Sequence, residues 1–212
     1  MTKRLVLLCT TALSLTTALS AQDYKLETIA GAPPDLPTAY ASSIATTGYR
    51  ITGSAGPKCE IWFRKSIPAG AQPSDNSIVF GIAQGTFLGV IRFPGKGEDR
   101  RGQQINPGLY TLRYSNFPVD GAHQGVAPQR DFALMTPIAT DTDPNAKPAF
   151  DALVQMSTKA SGSPHPAVLS LESPNGATFP SLTKEGDNAD WVLSVQIGEL
   201  KIAIILVGHV QG

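Results

Sequence analysis

The residues best placed to do chemistry lie between Pro118 and Asp131. The run Pro118-Val-Asp-Gly-Ala-His-Gln-Gly-Val-Ala-Pro-Gln-Arg-Asp131 places Asp120, His123, Arg130 and Asp131 among small and turn-forming residues. Long irregular loops on a rigid β-scaffold are common binding sites. Asp120 and His123 are of metal-ligating type, and Asp131 could add a third ligand or orient the imidazole. Equally, Arg130 and Asp131 could pair with each other or with the loop backbone and hold it in place. The four residues are therefore the candidate ligand-binding set, with the metal left open; the alternative is a metal-binding protein or metal-dependent enzyme that uses the 118–131 loop.

The other chemistry-bearing residues are scattered. His165 sits between Pro164 and Pro166, and His209 follows a long apolar run. Asp141-Thr-Asp143 offers two carboxylates, but no third oxygen donor follows at calcium-loop spacing. Trp62, Tyr49, Tyr110, Tyr114 and Phe117 could form an aromatic platform for sugars, although a chain with 7% aromatic residues needs most of them in its core. There is no Gly-x-Ser-x-Gly elbow, no His-Glu-x-x-His pair, no phosphate-binding Gly-Lys-Ser/Thr loop and no Cys-x-x-Cys. Gly95-Lys-Gly97 reads as a turn, and Glu98-Asp-Arg-Arg101 as a solvated loop. No cofactor is implied, and a binding role is favoured over an enzymatic one.

The N-terminus suggests export. Lys3 and Arg4 precede an apolar stretch from Leu5 to Leu19 diluted by Thr and Ser, and Ala18-Leu19-Ser20 offers small residues for cleavage. Residues 1–21 thus read as a signal peptide. Their removal takes Lys3 and Arg4 from the 17 basic residues and nothing from the 17 acidic ones, leaving a net charge of −2. Such a balance gives no electrostatic reason to hold nucleic acid or an anionic membrane. No later stretch is long and apolar enough for a transmembrane helix of about 20 residues. Cys9 would leave with the signal peptide. Cys59 then remains alone without a disulfide, and its place in a strand-like run reads as a small buried hydrophobe.

Period-two alternation dominates the rest. It predicts strands over 46–52, 58–67, 77–82, 86–93, 109–114, 131–136 and 167–171. In 58–67, Cys59, Ile61 and Phe63 share one face. In 86–93, Phe87, Gly89, Ile91 and Phe93 are expected to share one. Trp191, Leu193, Val195 and Ile197 alternate toward a type II′ hairpin turn at Gly198-Glu199. The strand after it, 200–207, is apolar on both faces and should be covered on both.

One helix is predicted, over about 148–160. Phe150, Leu153, Val154 and Ser157 fall at helical spacing, Gly162 ends it, and Asp143 or Asn145 is the expected cap. The fold class is therefore mainly β: an antiparallel β-sandwich with one short α-helix. Three segments follow: 1–21 signal peptide, 22–43 a loosely held, extended Pro-rich lead-in, and 44–212 a single domain.

Asn106-Pro-Gly-Leu-Tyr-Thr-Leu112 resembles the Pro-Gly-x-Tyr-x-Leu signature of transthyretin-like (prealbumin-like) sandwich modules. The resemblance covers about seven residues and implies a structural or binding domain, with no activity attached. Across Glu60-Ile-Trp-Phe-Arg64, Ile91-Arg-Phe-Pro-Gly95 and Gly125-Val-Ala-Pro-Gln-Arg-Asp-Phe132 the chain also resembles exported β-sandwich proteins of environmental bacteria. That likeness brings no chemistry with it. The partner implied is a protein, a glycan or a small molecule, in the periplasm or outside the cell.

Overall fold

The computed structural model describes residues 23–67, 80–117, 130–176 and 178–208. In chain order the first half contains β1 (Lys25–Ala30), α1 (Thr38–Ala41), β2 (Ile44–Gly53), β3 (Gly56–Arg64), β4 (Phe87–Phe93), β5 (Gly97–Glu98), β6 (Gln104–Ile105) and β7 (Gly108–Asn116). The second half contains β8 (Asp131–Pro137), α2 (Phe150–Ser161), β9 (Val168–Glu172), β10 (Ser181–Glu185), β11 (Asp190–Ile197) and β12 (Leu200–Val207). Among the described residues, ten strands form one antiparallel sheet in the order β1-β2-β3-β4-β7-β8-β9-β12-β11-β10. β5 and β6 form a separate small hairpin.

The sheet folds over on itself. Ile61 of β3, Leu112 of β7, Val195 of β11 and Ile204 of β12 all belong to one core. Its two halves pack face to face like a sandwich, joined through the β8–β9 pair. On the other side β1 and β10 approach without pairing, and Tyr24 meets the Trp191 ring edge-on at 5.5 Å. Cys59, Ile61 and Phe63 lie in this core, as do Tyr110, Leu112 and Tyr114. The strand 200–207 is covered on both faces, with Ile202, Ile204 and Leu206 inside and Ala203 and Ile205 buried against Val192 outside. Gly198 takes a φ of +63° while Glu199 stays at negative φ, the signs of a type II′ turn.

Several expectations need correction. Residues 23–43 of the expected lead-in are held to the sheet rather than loose. They supply β1, and their α1 turn buries Tyr40 over Ile44, Trp62, Phe87 and Val90 on the outer face. Pro33, Pro34 and Pro37 break the chain between these two attachments without freeing it. In β4, Phe87 does not share a face with Ile91. An irregularity between Phe87 and Gly89 turns Leu88 into the core and Phe87 outward. Beside this irregularity the strands are closely packed: a Cβ on Gly89 would stand 2.3 Å from the Trp62 carbonyl oxygen. Phe80 and Ile82 are buried but lie outside any strand.

Helix α2 begins at Phe150 behind Ala149, with no side-chain cap. Asp143 instead accepts the Asn145 backbone N–H at 2.8 Å in its own turn. Gly162 ends the helix at φ +64°. The helix packs on β8, with Leu153 against Phe132, Leu134 and Val168. Ser157 Oγ donates to the Met135 carbonyl oxygen (2.7 Å) and accepts the Ala167 backbone N–H (3.0 Å).

Candidate functional site

Asp120 and His123 lie outside the described residues, so their part of the loop reading stands as an expectation. Arg130 and Asp131 are described. Arg130 donates through Nε and Nη2 to the Phe117 carbonyl oxygen at 2.8 and 2.6 Å. Asp131 is fully buried, and its Oδ1 accepts from Tyr114 Oη at 2.5 Å and from the Phe80 backbone N–H at 3.2 Å. Both residues tie together the strand ends that flank segment 118–129. Burial and the Asp131 carboxylate also push the Tyr114 hydroxyl well above its ordinary pKa.

Other sequence candidates are absorbed by the frame. Asp141 accepts both Nε and Nη2 of Arg113, at 2.6 and 2.7 Å. Arg113 reaches three more oxygens, the carbonyls of Gly85, Ala146 and Asp143, so all five of its N–H bonds are engaged. The Cys59 thiol is sealed in the core, where burial pushes its pKa up to about 12. That excludes the thiolate at neutral pH. Trp62, Tyr110, Tyr114 and Phe117 are buried, so they build no exposed sugar platform. His165 is exposed, and its backbone is held by Ser161 and Ser163. Among the described residues, no three His, Cys, Asp or Glu side chains converge as a metal-binding group.

A different set does come together. A cavity of about 300 Å³ is lined by Arg100, Glu172, Asn175, Glu185, Asn188 and Asp190, with Val192 as an apolar wall. Arg100 is brought there by the β5–β6 turn. Asp99 fixes that turn by accepting the backbone N–H groups of Arg101 (3.0 Å) and Gln103 (3.1 Å), and Arg101 anchors it to the Pro166 carbonyl. The Glu98-Asp-Arg-Arg101 run is thus a built turn rather than a solvated loop. Glu172 ends β9, and Glu185 and Asp190 face each other across the β10–β11 pair. In the loop between those two strands Ala189 takes a φ of +55°, unusual for a residue with a Cβ.

The electrostatics of this cavity are incomplete. Arg100 approaches Asp190 Oδ2 with Nε at 3.0 Å and Nη2 at 2.9 Å. The other oxygen, Oδ1, is buried and has no hydrogen-bond partner among the described residues. It lies against Gly208, where a Cβ would stand only 1.9 Å from it. Glu185 accepts from Thr183 Oγ1 (2.6 Å) and Asn175 Nδ2 (3.1 Å). Glu172 is half-buried, and burial pushes its carboxyl above the ordinary range. Glu185 and Asp190 push it the same way, and Arg100 offsets them only in part. A second cavity, about 420 Å³ in volume, lies by Tyr24, Lys58, Lys96 and Glu98. There Lys58 meets Glu98 at 3.4 Å.

Sequence reasoning missed the first cavity because its residues are far apart in the chain. The available signal was the run Glu185-Gly-Asp-Asn-Ala-Asp190 between two strands, which carries more acid than a tight turn needs. Compared with known proteins, the chain matches no family model, no curated protein and no solved structure.

Proposed function

We propose that the protein is an exported, non-enzymatic β-sandwich module that binds a ligand in the polar cavity beside the β10–β11 loop. Export is supported by the basic, apolar and small-residue succession of residues 1–21. The observation that carries the binding reading is the contrast in how buried polar groups are used. Arg113, Asp141, Asp99, Asp131 and the Cys59 thiol are all committed to the frame or sealed within it. On the wall of the polar cavity, the Glu172 carboxylate accepts no hydrogen bond from a described residue. A concave site with a few convergent polar groups on rigid strands is suited to holding a small molecule, or one residue of a glycan or protein.

The test is a thermal-shift screen of the protein lacking residues 1–21 against amines, divalent metals, simple glycans and amino acids. A ligand at 100 times its dissociation constant stabilises by about 2.7 kcal/mol, which raises the melting temperature by several degrees. A clear shift with one class, lost when a cavity residue is changed, is the expected result. Turnover of an ester, peptide or glycoside that is abolished by a single substitution would contradict the reading.

A further inference from the structure

We infer that this cavity takes a small ligand bearing an ammonium group, an inference that rests on the binding-module reading above. Three carboxylates line it against one guanidinium, and that guanidinium directs both Nε and Nη2 to a single oxygen of Asp190. Asp190 is only 7% exposed and its Oδ1 is turned against Gly208, so the carboxylates open to a ligand are those of Glu172 and Glu185. No hydrogen bond or ion pair reaches the Glu172 carboxylate from any described residue. Carboxylates crowded into a partly buried site repel one another, and the group that relieves them is a cation with several N–H bonds.

The shape favours an organic cation over a bare metal ion. Calcium needs six to eight oxygens closing around it at about 2.3–2.6 Å. Among the described residues no three acidic side chains gather as a metal-binding group. A volume of about 300 Å³ instead leaves room for an alkyl body. Val192 supplies an apolar wall for that body, and Asn175 and Asn188 also line the cavity. An ammonium group of three donors is matched by Glu172 with one or two of these neighbours.

The experiment is a calorimetric titration of the protein lacking residues 1–21 with ethanolamine and 1,4-diaminobutane at neutral pH. n-Butanol serves as the uncharged comparator and calcium chloride as the metal comparator. The same series is run on Glu172→Gln, with Glu185→Gln replacing it if that variant does not fold. The expected result is saturable binding of an amine, no binding of n-butanol, and at least a tenfold loss of amine affinity in the variant. Absence of amine binding, equal affinity in the variant, or binding of calcium alone would overturn the inference. If a neutral glycan from the screen binds while the amines do not, the ammonium assignment fails and the binding module survives. Silence across both experiments removes both.

Discussion

Two of the arginine–aspartate pairs in this molecule, Arg113 with Asp141 and Arg100 with Asp190, are finished to different degrees. Arg113 and Asp141 meet through two parallel hydrogen bonds, and Thr111 Oγ1 donates to the same Asp141 oxygen at 2.6 Å. Tyr40 Oη donates to the Asp141 carbonyl at 2.9 Å, and backbone carbonyls take the remaining guanidinium N–H bonds. Arg100 and Asp190 meet on one oxygen only, with a second oxygen left over and Glu172 only partly offset by Arg100. The first pair has nothing to offer a ligand, because every donor and acceptor is spent on holding residues 137–149 against the sheet. The second has the chemistry of an incomplete shell. Burial alone therefore does not mark a functional charge; the number of unmet partners does.

The largest effect expected is at the finished pair. Asp141→Ala leaves the Arg113 guanidinium buried and unpaired, at a cost of about 3–5 kcal/mol, measured as the urea midpoint. Asp190→Ala should cost less, about 1–2 kcal/mol, because Glu172 can take over Arg100 and one crowded carboxylate is gone. Equal or reversed costs would break the comparison.

A packing control comes next. Gly89→Ala drives a Cβ into the Trp62 carbonyl, which belongs to the neighbouring strand and cannot swing away. Overpacking of this kind costs about 1–3 kcal/mol. A thermal melt of the variant within one degree of the parent would show that the β4 bulge can relax.

Glu60 sharpens the comparison through pH. Burial would raise its carboxyl, but hydrogen bonds from Arg50 and Arg92 outweigh that and hold it below the ordinary value of 4.5. It forms a cross-strand ladder in which Glu27, Arg50, Glu60 and Arg92 stand opposite one another on β1 to β4. Because the folded pKa is lowered, its stabilisation is complete above pH 4.5 and is lost as the pH falls through the folded value. Both arginines are more than a third exposed, so Glu60→Gln should cost only about 1 kcal/mol at neutral pH. Denaturation curves of parent and variant should converge in acid.

Much of this frame was legible in the sequence because alternation is a local signal. Cys59, Ile61 and Phe63, then Tyr110, Leu112 and Tyr114, repeat at period two and do face the core. Gly198 and Gly162 mark a turn and a helix end through the positive φ each requires. What alternation cannot carry is the extra residue at Leu88 in the β4–β7 ladder. Nor can it show that Arg113, on the outward face of β7, is buried under a segment that begins about 25 residues later. The cavity is harder still, since residues 100, 172 and 185–190 meet only after β9 and β10 have been placed on opposite sides of β12 and β11.

The most direct measurement is the equilibrium stability of Glu172→Gln without any ligand, across pH. The Glu172 carboxyl is raised by burial and by Glu185 and Asp190, so its charge destabilises the fold at neutral pH, and the cost disappears as the pH falls and the group protonates. The account predicts that the variant is more stable than the parent at neutral pH, by about 0.5 kcal/mol, and that the two coincide in acid. A variant less stable than its parent at neutral pH would show that Glu172 already has its partner within the fold, and the cavity would lose its claim to be an unfinished site.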